Sequence, residues 1–155
     1  MTTINRPPAA TKPTSAAIID GLLAGVLSGA GMGVLILAIE WTLGHNPLEV
    51  MGWFAPSSDS SPVVGGLAHL AVSGIYGMLF GWLAHLTRSR RGSRFPTWLL
   101  GLLFGLAIFL FAELVRLPGS LAALENIPIW VFGLAHGVFG VLLGWLFDRK
   151  DDERG

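Results

Sequence analysis

Residues 17–43 read AIIDGLLAGVLSGAGMGVLILAIEWTL, and this run decides the fold class. Crossing a hydrocarbon core of roughly 30 Å takes about 20 residues of helix, because each residue rises about 1.5 Å and a helix pairs its own backbone groups. The run exceeds that length, and its ionisable residues, Asp20 and Glu40, stand near its two ends. It is apolar around nearly its whole circumference, whereas a helix of a soluble bundle carries one apolar stripe. Three further stretches reach the same length, so spans are expected at about residues 17–43, 63–86, 96–117 and 127–147. Pro47 and Pro56 fall in the first loop, Pro62 and Pro96 open the second and third spans, and Pro118 with Gly119 ends the third. The expected fold is an all-α membrane protein whose four transmembrane helices form a compact bundle.

Composition agrees. Hydrophobic residues make up 52% of the 155 and charged residues 13%, against about 25% charged in a soluble domain, and the mean hydropathy is +0.63. Ten basic and ten acidic side chains cancel, which leaves no field to recruit nucleic acid. With no cysteine, disulfides, thiolate metal sites and cysteine nucleophiles are excluded. Residues 1–15 hold Pro7, Pro8 and Pro13 and lack the order of a secretory signal, so they are expected to form a flexible cytoplasmic tail. The transmembrane domain then covers residues 16–148, and residues 149–155 form a charged cytoplasmic tail.

Orientation follows from the basic residues, since short basic loops are retained on the cytoplasmic side. Arg88, Arg90, Arg91 and Arg94 lie between the second and third spans, where they fix topology and can meet lipid headgroups. The loop at 44–61 has no lysine or arginine and carries Glu49 and Asp59. The middle loop and both termini are therefore expected inside, Arg6, Lys12, Arg149, Lys150 and Arg154 agreeing, in what reads as a bacterial inner membrane. Trp82, Trp98 and Trp145 fall near the inner boundary and Trp41, Trp53 and Trp130 near the outer one, where indoles favour the headgroup layer.

Helices in lipid associate by close packing over small residues. The first span carries Gly21, Gly25, Gly29 and Gly33 at four-residue steps, the second Gly77 and Gly81, the third Gly101 and Gly105, the fourth Gly140 and Gly144. These are the expected packing residues, with the partner either within the chain or in another subunit. Residues 74–83 read GIYGMLFGWL and residues 137–146 read GVFGVLLGWL, while GLAH occurs at 66–69 and 133–136, although a four-residue gap is needed to align both. The repetition suggests two duplicated helical hairpins related by an axis along the membrane normal. Such GLAH-containing hairpins resemble small four-span proteins of bacterial membranes, a resemblance that implies no activity.

Ionisable groups inside a membrane are costly and tend to face the bundle interior. Glu40, Glu113, His69 and His136 fall in the outer half of their helices, and the helical wheel allows them to converge. Two carboxylates and two imidazoles could bind a metal, ligate a haem through both histidines, or relay protons. The plainer reading is structural: Arg116 is one turn from Glu113, Ser73 is one turn from His69, and either imidazole can bond a backbone carbonyl. Asp20, His45 and His85 are expected to be solvated at the interfaces. No HExxH, GxSxG or phosphate loop occurs, so no catalytic residue is assigned. The expected role is that of a non-enzymatic membrane component, self-associating as a homo-oligomer or acting as an accessory subunit of a larger membrane complex. A metal- or haem-binding protein and a small transporter or channel are the alternatives.

Overall fold

The computed structural model describes residues 13–57, 61–91, 96–116 and 122–152. The described residues form five helices, α1 (Thr14–Thr42), α2 (Pro47–Trp53), α3 (Pro62–Arg91), α4 (Thr97–Arg116) and α5 (Ile129–Asp152), with a 3-10 turn at Ala122–Asn126. The expected features at residues 1–12, Asp59, Arg94, Pro118, Gly119 and residues 153–155 lie outside the described residues. So do the side chains of Arg88, Arg90, Arg91, Arg116 and Lys150.

Four helices, α1, α3, α4 and α5, are long and apolar enough to cross a membrane. Within their apolar windows the buried share runs from 22% in α4 to 44% in α5, so most of each window faces outward. Ile19, Leu27, Val34, Leu67 and Leu110 are each more than half exposed. Exposure to water costs about 25 cal/mol per Å² of apolar surface, a cost that lipid tails remove. The fold is that of a multi-pass membrane protein, a compact bundle of four spans.

Packing is organised around α1, which lies along both α3 and α5, while α5 also lies along α4. The smaller contact between α3 and α4 closes on Phe80, which is fully buried, with ring centroids 5.4 Å from Phe104 of α4 and 5.6 Å from Phe147 of α5. Two stripes on α1 are buried. Ala17, Gly21, Gly25 and Gly29 face α3, and Asp20, Ala24, Ser28, Met32, Ile36 and Glu40 form a second row at the same four-residue step.

The segment read from sequence as a simple loop holds α2, and its cause is local. Asn46 caps the helix by accepting the Leu48 amide at 2.9 Å, and Pro47 takes the first helical position, where its missing N–H has no partner to lose. Seven residues are too few for an autonomous helix. Tertiary burial of Val50 and Trp53 holds it, with its C-terminal end against α3 at Gly65, where a Cβ would lie 3.2 Å from the Ala55 amide.

Gly44 makes the turn out of α1. Its φ of 98° is left-handed, the Gly44 amide bonds the Trp41 carbonyl at 3.0 Å, and the His45 amide bonds the Glu40 carbonyl at 3.0 Å. This is the two-bond ending that glycine favours after a helix. Since nothing lies within 4 Å of a Cβ there, only backbone conformation excludes other residues. Gly44→Ala is expected to cost about 1–2 kcal/mol, read as a lower unfolding midpoint in detergent. An unchanged midpoint would remove the argument.

Candidate functional site

The polar groups divide between two ends of the bundle, the end that carries the arginine-bearing connection and the end that carries α2. At the α2 end, the turn through Gly44 folds His45 back over the last residues of α1. His45 Nδ1 donates to Glu40 Oε2 at 2.8 Å, and its ring meets Trp53 edge-on at 5.1 Å. Glu40 is fully buried, the His45 side chain is 40% exposed, and Glu40 Oε1 has no hydrogen-bond partner among the described residues. The pair ties the end of α1 to the turn that leads into α2 through one side-chain hydrogen bond. The expectation of a solvated His45 gives way to this contact, because His45 lies beyond the helix, where wheel geometry no longer applies; the left-handed Gly44 is the local signal for it.

His69 and His136 occupy different environments. His69 Nε2 bonds the Gly29 carbonyl at 2.9 Å, and a carbonyl only accepts, so Nε2 carries the hydrogen. The His69 ring leans on Phe54 at 4.7 Å. A Cβ at Gly33 would lie 3.5 Å from His69 Nε2, an ordinary contact, so Gly33 adjoins this ring outside the close helix contact. His136 is 7% exposed, donates from Nδ1 to its own helix at the Phe132 carbonyl (2.8 Å), and packs on Phe132 and Phe109 at 4.4 Å and 6.0 Å. One histidine belongs to the α1–α3 hairpin and the other to the α4–α5 hairpin. Glu113 is half-buried near the end of α4. Among the described residues no group of three or more His, Asp and Glu side chains is placed to hold a metal ion.

At the arginine end, Asp20 departs from expectation. It is fully buried, because the four-residue row that it begins turns into the bundle. At the same end of the bundle Thr97 Oγ1 donates to Asp148 Oδ1 at 3.1 Å, Thr14 Oγ1 and His85 Nε2 are hydrogen-bonded at 3.2 Å, and the Arg149 guanidinium lies 4.1 Å above the Trp145 ring.

The glycines meet one another inside the chain. A Cβ on Gly25 would lie 2.7 Å from Gly77 Cα, and one on Gly81 would lie 3.1 Å from Gly21 Cα. In the other hairpin, a Cβ on Gly101 would lie 2.8 Å from the Gly144 amide nitrogen, and one on Gly105 would lie 3.0 Å from Gly140 Cα. Matching Gly77 to Gly140 brings Ser73 into line with His136, and His69 with Phe132. Ser73 Oγ donates to the His69 carbonyl at 2.7 Å, one turn back, as His136 does to the Phe132 carbonyl.

No protein-family profile matches the chain, and no curated protein or solved structure is significantly similar to it. Fold and site together define a class, the compact four-span α-helical membrane protein, and its activity has to be argued from the residues.

Proposed function

We propose that the protein is a non-enzymatic component of a bacterial inner membrane, its termini and arginine-bearing connection cytoplasmic, that acts by associating with another membrane helix. One observation carries this reading. The paired glycines Gly21, Gly25, Gly77, Gly81, Gly101, Gly105, Gly140 and Gly144 are taken up inside the chain, and what α4 turns outward is large side chains, Leu103, Leu106, Leu110 and Leu114, each 40–67% exposed. Of the four spans α4 is the least covered within the chain, 22% of its apolar window being buried against 28–44% in the others, so it has the most helix surface left for a partner. The partner is a second copy of the chain or a subunit of a larger assembly.

Transport is less well supported. Asp20, Ser28 and Glu40 share one buried row on α1, but about 12 Å and about 18 Å of helix separate them, with Ala24, Met32 and Ile36 between. Ser28 Oγ donates to the Ala24 carbonyl at 2.7 Å, within its own helix. A row so interrupted is no hydrogen-bonded wire.

We also infer that the two hairpins descend from one duplicated unit. Support comes from the equivalent glycine contacts and from the bonds that Ser73 and His136 each make to the carbonyl one turn back. The GLAH segments are then not equivalent to each other, which is why a gap was needed to align them.

Because the native chain lacks cysteine, introduced thiols report alone. Leu110→Cys is expected to cross-link in native membranes to a second polypeptide, whereas Leu23→Cys on α1 does not. A chain that stays monomeric, extracts without a partner and never cross-links at Leu110 refutes the association. Orientation is tested separately: Ser57→Cys should react with an impermeant maleimide in intact spheroplasts and Ser93→Cys only after lysis. The reverse pattern inverts the topology.

A further inference from the structure

A cavity of about 340 Å³ opens between α1 and α3 beneath α2, lined by Gly33, Val34, Met51, Phe54, Leu67 and His69 among others. Its size falls within the range of small-molecule pockets, about 300–1,000 Å³. Among the described residues His69 is the one polar side chain in its wall, and none that lines it is charged. Val34, Val63 and Leu67 at the wall are 63–66% exposed on faces that belong to lipid, so access is lateral, from the bilayer.

The hydrogen-bonding state of His69 sets what fits. Nε2–H is committed to the Gly29 carbonyl, which leaves Nδ1 of the neutral ring as an acceptor. No hydrogen bond to Nδ1 is formed by the described residues. A ligand here is therefore uncharged, soluble in lipid, and brings a donor of its own. The Phe54 ring beside the imidazole and the thioether of Met51 add a surface suited to an aromatic ring.

We propose that this pocket binds a lipophilic phenol or quinol head group, its hydroxyl donating to His69 Nδ1 and its ring lying against Phe54. The site is independent of the α4 surface. The ligand uses the one His69 ring nitrogen that the bond to the Gly29 carbonyl leaves open.

The test compares 3-pentadecylphenol with its methyl ether, which keeps shape and loses the donor. Binding to purified full-length protein in nanodiscs, followed by quenching of tryptophan fluorescence, is expected to saturate for the phenol and to be about fivefold or more weaker for the ether, the effect of one neutral hydrogen bond. His69→Phe, which retains the ring, should bring the two probes to equal affinity. Because His69→Phe also loses the bond to Gly29, Val34→Trp serves as a second variant: it fills the pocket mouth, leaves that bond intact, and should abolish binding of both. Equal affinity of phenol and ether for the native protein overturns the proposal in favour of an acyl chain. Non-saturable binding, or binding unchanged in Val34→Trp, overturns the site itself.

Discussion

Gly77→Val is expected to abolish the folded bundle. A Cβ at Gly77 would lie 2.6 Å from Gly25 Cα and 2.9 Å from the Gly25 nitrogen, so the obstacle is backbone and no side chain can swing aside. Overpacking among side chains typically costs about 1–3 kcal/mol. Here α1 and α3 must move apart along their whole contact, giving up the close approach that drives association where lipid offers no hydrophobic gain. The expected loss exceeds that range, and the protein should be recovered aggregated or not at all. Gly140→Val should do the same in the second hairpin, where the added Cβ meets Gly105 Cα at 3.1 Å. Gly52→Ala is the control, with nothing within 4 Å of the new methyl. Yield, elution profile and unfolding midpoint in detergent decide the matter: a monodisperse Gly77→Val protein with the native midpoint would falsify the described contact.

His45→Ala is expected to destabilise the α2 end of the bundle, because it strands the fully buried Glu40 side chain. Glu40 has one oxygen without a hydrogen-bond partner among the described residues, and the other rests on His45. Removing one partner of a buried hydrogen bond costs about 1–3 kcal/mol. The exposure of His45 places the loss toward the lower part, since solvent can reach the gap. Glu40→Leu removes both the pair and the orphaned group, so it should be better tolerated than His45→Ala, even though it deletes more interactions. Coupling should also be visible in the double variant Glu40→Leu/His45→Ala, whose midpoint should lie within error of Glu40→Leu alone. If the two losses simply add, Glu40 and His45 do not act as a pair.

Several features were legible in the residues alone, each through a rule that works locally. Four apolar runs of sufficient length, separated by prolines, specify four spans because the bilayer requires every backbone group to be paired within its own helix. The prolines at 62 and 96 fall at the starts of α3 and α4, since a first-turn position needs no N–H. Other features were hidden. Helix α2 is short and weakly apolar, and it exists because α3 offers Gly65 as a seat. Asp20 looked like a residue at a mouth, and its burial depends on which of two adjacent rows of α1 turns inward.

The number of spans, the glycine steps and the separation of arginines from the acidic loop can be read along the chain, because they follow from chain length, local geometry and the cost of moving charge through lipid. Which faces meet depends on how the helices pack, and packing did the rest. It seated Gly25 against Gly77 and Gly101 against Gly144, put His69 and His136 in separate hairpins, and brought His45 back onto Glu40. Helices apolar on all sides present no single stripe to read. Their rotation is set by where backbones can approach most closely, a property of pairs of helices that neither sequence expresses alone.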